Sequence, residues 1–109
     1  MVIAHYHYFC HFEFVGYLPI DVSERIKAIK EMEMVSRKKN STQIFIETPY
    51  RNDQLIETLL KTCQPSTKIC IAAELTGPNE FVKTKTVAEW KKEKTGFHKK
   101  PVIFLLMAK

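Results

Sequence analysis

A chain of 109 residues is long enough to bury a core of its own and too short for two ordinary domains. Its composition, 45% hydrophobic and 27% charged, is that of a soluble globular protein, and no apolar run approaches the roughly 20 residues that cross a bilayer. The net charge of +5, from 17 lysines and arginines against 12 acids, favours contact with polyanions, of which RNA is the natural candidate.

Three further features narrow the class. Cys10, Cys63 and Cys70 are odd in number and form no CxxC pair. Cys63 falls on a helix face and Cys70 inside a strand, so both read as small buried hydrophobes. The pattern predicts a reducing, cytoplasmic setting. The first residues also lack the charged region and small-residue cleavage site of a signal peptide. With only three glycines, Gly16, Gly77 and Gly96, there is no Gly-rich loop to cradle a dinucleotide or a triphosphate.

Residues 1–11 mix His5, His7 and His11 with Tyr6, Tyr8, Phe9 and Cys10, and are set apart as an atypical N-terminal segment. Imidazole and thiolate ligate transition metals. Zinc sites, however, usually pair ligands from two separated elements. An exposed or strand-like terminus without metal is the reading adopted.

Phe12, Phe14 and Val15 around Glu13 read as a first strand, closed by Gly16-Tyr17-Leu18-Pro19. Asp21 followed by Glu24 has the spacing of a capping box. Val22, Ile26, Ile29 and Met32 or Glu33 then recur at helical spacing to about Val35, with the basic run Arg37-Lys38-Lys39 after them. Thr42 to Glu47 is the second strand. Asn52 or Asp53 caps a second helix, whose Leu55, Ile56, Leu59, Leu60 and Cys63 form one apolar stripe that reads as core. Pro65-Ser66 ends it, and Lys68 to Ala73 is the third strand.

Glu80 to Lys85 alternates as a half-exposed strand, paired antiparallel with its predecessor. Thr86 caps a short helix over 87–92 that turns Trp90 inward. Lys91 to Lys100 is a basic connector, and Val102 to Met107 is a buried last strand. With Lys83 and Lys85, the connector offers either a phosphate-facing patch or a solvated surface. The whole predicts a single α/β domain: a mixed five-stranded sheet with about three helices, and no linker or repeat.

Two loops attract attention. Ile44-Phe45-Ile46 runs into Glu47-Thr48-Pro49-Tyr50-Arg51, and Ile69-Cys70-Ile71-Ala72-Ala73 runs into Glu74-Leu75-Thr76-Gly77-Pro78-Asn79-Glu80. Each loop opens with a carboxylate that has just left the sheet, and α/β proteins place ligand-binding groups at strand ends. Read bottom-up, Glu47 and Arg51 form either a substrate clamp or a loop ion pair that sets the next helix. No residue has the spacing of a general base paired to a nucleophile.

Glu-Thr-Pro-Tyr-Arg at 47–51, Ala-Glu-Leu-Thr with Glu80 following at 73–80, and Gly-Tyr-Leu-Pro at 16–19 stand in one order and spacing. Together they resemble the C-terminal lobe of the tetrapyrrole (corrin/porphyrin) methylase superfamily. Within it they are most similar to the small-subunit rRNA ribose 2'-O-methyltransferases. The likeness spans about Phe12 to Met107, so residues 12–109 read as the C-terminal domain of a two-lobed methylase. The chain departs from that branch at Ala73, where arginine is usual, and at Gly77, where lysine is common.

The resemblance implies S-adenosylmethionine in a cleft between two lobes. It implies cofactor contacts from Thr48, Pro49, Tyr50, Ala73, Leu75 and Thr76, and substrate contacts from Glu47, Arg51, Glu74, Glu80 and Lys83. It also implies an N-terminal methylase lobe as partner, an rRNA substrate and a homodimer. Methyl transfer from a sulfonium donor needs in-line positioning more than covalent catalysis. Nothing like the donor-holding lobe precedes Phe12 in the sequence. The expectation is therefore that this chain folds alone, binds the donor weakly and does not catalyse. The other readings are a stand-alone binding or oligomerisation domain that kept the fold, and a methylase of a tetrapyrrole or other small molecule. Apolar surface around Phe9, Phe12, Tyr17 and Leu18 is expected to drive self-association.

Overall fold

The computed structural model of the chain describes residues 11–93, 96–97 and 99–108. In chain order these form β1 (His11–Tyr17), α1 (Val22–Lys39), β2 (Ser41–Ile46), α2 (Asn52–Thr62), β3 (Lys68–Ala73), β4 (Phe81–Thr86), α3 (Val87–Trp90) and β5 (Val102–Met107). The strands lie in the order β1-β2-β5-β3-β4. β1 runs parallel to β2, and every other neighbouring pair is antiparallel. The expected mixed α/β sheet is what the chain forms.

The last strand inserts between β2 and β3. A strand in that place is flanked on both edges, and every residue of the apolar run Val102–Met107 except Ile103 is buried. The helices share one face of the sheet. There Ile29 and Met32 of α1, Leu55 and Leu59 of α2, and Val87 and Trp90 of α3 pack on Phe45, Ile69, Ile71, Phe104 and Leu106. Phe45 and Phe104 stack with ring centroids 5.4 Å apart. Each such side chain, fully buried, contributes roughly 1.5–3 kcal/mol. The buried indole N–H of Trp90 donates to the Ile69 carbonyl at 2.8 Å. On the opposite face a smaller cluster forms from Cys70, Leu105 and Met107, with Ile44 against it.

Asp21 caps helix α1 as its sequence predicts, with the Glu24 amide donating to its carboxylate at 3.1 Å, but the Glu24 side chain lies beside Lys27 and the expected capping box is only half formed. The helix buries Arg25 and leaves Val22 exposed. It also runs a turn beyond Val35, to Lys39, and stops at Asn40 in the left-handed region (φ 56°). The extra turn is anchored by Ser36, whose hydroxyl donates to the Ser41 carbonyl at 2.6 Å and accepts from the Ala108 amide at 2.8 Å. A buried serine takes the place of the apolar residue that would have marked the helix in the sequence.

Glu33, also buried, accepts from the Gln64 amide at 2.8 Å and from the Thr67 hydroxyl, and so ties α1 to the turn before β3. Beside it, burial and the Glu33 charge push the Cys63 thiol up to about 12. Helix α2 is entered through a short 3₁₀ turn, Pro49–Arg51, and neither Asn52 nor Asp53 caps it. Both are turned toward the segment 97–100. Asn52 donates its amide to the carbonyls of Phe97 (3.0 Å) and Lys100 (2.6 Å), and Asp53 accepts from the Phe97 amide (2.8 Å).

β1 is an edge strand with a bulge. Phe12 and Phe14 sit opposite Thr42 and Ile44, but the register shifts between Phe14 and Gly16, so that Tyr17 sits opposite Ile46. Side chains alternate along a strand, and one inserted residue moves all that follow to the other face. Gly16 takes the conformation this requires, at φ +87°. Phe12 and Tyr17 are exposed as expected, and Phe14 more so at 70%. Leu18 corrects the expectation: it is buried in the core at 4%, because the turn after β1 folds back under α1. Phe9 lies outside the described residues. At the other edge, β4 carries Lys83 and Lys85, charges that discourage edge-to-edge pairing.

Candidate functional site

Strands β1, β2 and β3 point the same way, and their carboxyl ends meet the start of β5. Between them lies a cleft of about 420 Å³, lined by Tyr17, Ile46, Glu47, Pro49, Ala72, Glu74, Leu75, Pro101, Val102 and Ile103. Pockets at the carboxyl edge of such sheets are the usual place for a ligand. Ile46, Ala72 and Ile103 face away from the helices and make an apolar floor. The bulge in β1 brings Tyr17 onto this same side; without it the ring would point toward α1.

The walls are fixed by hydrogen bonds. Arg25, buried at 3% exposure, donates its Nε to the Pro19 carbonyl at 2.8 Å and forms a buried ion pair with Glu47. The other Glu47 oxygen accepts from the Thr48 amide at 2.7 Å. One arginine thus joins the turn after β1 to the turn after β2. On the far side the Glu74 amide donates to the Pro101 carbonyl at 3.0 Å, and the Lys99 amide donates to the Pro49 carbonyl at 3.0 Å. The latch from Asn52 and Asp53 holds the same segment from below.

The loop after β3 is tightly wound. Glu74 (φ 51°) and Thr76 (φ 65°) both occupy the left-handed region, which costs non-glycine residues of order 1 kcal/mol or more each. The Gly77 amide closes the turn on the Glu74 carbonyl at 2.9 Å, and Glu80 accepts from the Thr76 amide at 2.7 Å. Electrostatically the cleft is acidic. Among the described residues no lysine or arginine lines it. Glu47 is neutralised by Arg25, whereas the half-buried Glu74 carboxylate has no hydrogen-bond or ion-pair partner among the described residues.

Of the residues singled out in the sequence, the cleft brings together Glu47, Pro49, Glu74 and Leu75. The others are not among its lining. Tyr50 is 67% exposed, with the Lys99 ammonium 5.7 Å from its ring centre. Arg51 reaches back to the Thr48 hydroxyl at 3.2 Å, which is the loop-setting role. Ala73 is in the core, Thr76 and Glu80 hold each other, and Lys83 lies over the Phe81 ring. Tyr17, Ile46, Ala72, Pro101, Val102 and Ile103 are new members. Tyr17 carried a signal in the sequence, a glycine just before it.

Among the described residues no group of three or more histidines, cysteines and acids is placed to hold a metal. His5, His7 and Cys10 fall outside those residues, and His11 opens β1. Among the same residues no helix is long and apolar enough to cross a membrane.

By sequence, no family model and no curated protein matches the chain. By structure it is similar to the methyltransferase CobJ, with a TM-score of 0.55 and 13% identity, covering 99% of this chain and 47% of that one. It is also similar to CbiF, a cobalt precorrin-4 methyltransferase of cobalamin biosynthesis, with a TM-score of 0.52 and 13% identity over 87% of this chain and 40% of that one. The chain thus spans a little under half the length of each of these structures. At this identity the likeness is one of fold: the architecture built here is shared with part of CobJ and part of CbiF.

Proposed function

We propose that this chain is the C-terminal lobe of an S-adenosylmethionine-dependent methyltransferase, and that its cleft forms one wall of the donor site. The observation that carries this reading is the cleft itself: apolar floor, rigid turns and one free carboxylate, at the carboxyl edge of a sheet shared with about half of CobJ and CbiF. The residues present suit the donor. Ile46, Ala72 and Ile103 offer a flat apolar surface to a purine, Pro49 and Pro101 flank it, and the volume lies in the range of small-molecule sites. S-adenosylmethionine, when bound, supplies an electrophilic methyl group on a sulfonium sulfur. This chain's part is to orient the donor and exclude water on one side. The opposite wall belongs to an N-terminal partner lobe, so the isolated chain binds weakly and transfers no methyl group.

For the acceptor, a tetrapyrrole is the favoured class, since one structural neighbour, CbiF, is a cobalt precorrin-4 methyltransferase of cobalamin biosynthesis. The rRNA ribose reading rests on the Glu47-to-Arg51 and Ala73-to-Glu80 wording and on the net charge of +5. Translation of the DNA upstream of the Met1 codon tests the central point. A Gly-Pro-rich α/β lobe encoded there supports the reading, and an unrelated gene or a terminator argues against it. Once both lobes are combined, methyl transfer to rRNA or to a tetrapyrrole decides the acceptor. Methylation of rRNA by the purified chain alone would contradict the two-lobe account.

A second reading, a stand-alone binding or oligomerisation domain, is favoured by one observation. Phe14 (70% exposed) and Tyr17 (65%) lie on an edge strand. A homodimer is expected under either reading, and a clean monomer by light scattering at high concentration would refute it.

A further inference from the structure

One carboxylate in the cleft has no structural duty. Glu47 is consumed by Arg25 and the Thr48 amide. Glu80 caps the turn at Thr76, and Glu93 pairs with Lys85. Glu74 alone lines the cleft with its charge unmatched among the described residues. Its backbone is spent on holding it there: the amide on Pro101, the carbonyl on Gly77, and a left-handed φ that no glycine relieves. Strain of this kind persists where the surrounding structure over-determines it, and it clusters at ligand clamps. A half-buried charge beside apolar walls also acts through a lower dielectric than one in open water, so its preference for an opposite charge is stronger.

We propose that Glu74 is a specificity-determining residue of the cleft, and that it selects ligands carrying a positive charge. This rests on the reading of the cleft as a donor site and deepens it. The donor presents two cations, the sulfonium and the ammonium of its amino-acid tail, and the carboxylate serves to meet one of them. The same charge turns away anions. Neither a phosphodiester nor the carboxylates of a tetrapyrrole is held by these walls, and an acceptor of either class meets its counter-charges elsewhere.

The test compares three ligands on the purified chain, with affinities from ligand-observed NMR titration. S-adenosylmethionine carries both cations, S-adenosylhomocysteine keeps only the ammonium, and 5'-methylthioadenosine has neither. Glu74→Gln keeps the size and removes the charge. Because the carboxylate bonds to no described residue, thermal melting should be unchanged. Glu57→Gln, on the far side of α2 where it pairs only with Lys61, controls for net charge.

The expected result is about a tenfold loss of affinity in Glu74→Gln for the cationic ligand, the scale of one charge-assisted contact, with 5'-methylthioadenosine unaffected. Loss for S-adenosylmethionine alone assigns the contact to the sulfonium, and loss for both larger ligands assigns it to the ammonium; either upholds the proposal. Equal losses for all three ligands, or no loss for any, overturn it while leaving the donor site intact. If none of the three binds the wild-type chain, the donor-site reading falls and takes the proposal with it.

Discussion

Replacing Arg25 by methionine should cost this fold more than any surface substitution. The side chains of Arg25 and Glu47 are 4% and 2% exposed, so the pair is sealed from water. Removing the cation leaves Glu47 buried with one amide partner, Thr48, and it also orphans the Pro19 carbonyl. Breaking a buried pair from one side typically costs about 3–5 kcal/mol, because a charge is left without compensation. That is a large part of the roughly 5–15 kcal/mol that holds a domain together.

Urea denaturation followed through the buried Trp90 gives the number, with a midpoint lowered by roughly 2–3 M for a slope near 1.5 kcal/mol/M. The double variant Arg25→Met with Glu47→Leu should recover more than half of the loss, since a buried ion pair is often replaceable by apolar packing. A single-variant loss under about 1 kcal/mol, or additive losses in the double variant, would refute the claim that this pair staples the two turns of the cleft.

Gly16→Ala should destabilise by about 1–2 kcal/mol through its φ of +87° alone, since the nearest atom to an added Cβ is Phe14 Cε2 at an unstrained 3.8 Å; an unchanged melting temperature would deny the bulge. Asn52→Ala removes both bonds to the 97–100 segment, so hydrogen exchange at the Phe97 and Lys99 amides should accelerate while β3 and β5 stay protected. Uniform protection would mean the latch is idle. The Cys63 thiol, raised to about 12, should resist aromatic disulfide reagents in the native state at pH 8 and react once urea unfolds the chain. A raised thiol pKa favours the folded state below the ordinary value of 9.0, so this part of the stability should fade as pH climbs from 9.0 toward 12.

The strands were legible because their signals are local. Ile44-Phe45-Ile46, Ile69 to Ala73 and Val102 to Met107 are short apolar runs bounded by turn residues, and each forms a strand within a residue or so of its expected limits. What local pattern does not carry is long-range pairing. Nothing in Val102–Met107 says that it inserts between β2 and β3, and that insertion is what places Pro101, Val102 and Ile103 in the cleft.

Polar residues in structural roles misled in a consistent way. The apolar pattern of α1 did not single out Arg25, Ser36 fell just past the expected helix end, and Asn52 and Asp53 looked like caps. Each makes its decisive bond to a partner distant in the sequence: Glu47, Ala108 and Phe97. The two loop carboxylates were visible from the start. Only the fold separates them, giving Glu47 to Arg25 and leaving Glu74 to the cleft.

The most direct test of the account is to map S-adenosylhomocysteine onto the chain by two-dimensional amide and methyl NMR. Perturbations should centre on Ile46, Ala72, Leu75, Val102 and Ile103, saturate only at high ligand concentration, and spare Ile29, Leu55 and Leu59 in the opposite layer. Saturable perturbations centred elsewhere, or none at ligand concentrations near solubility, would contradict the assignment of this cleft as one wall of a donor site.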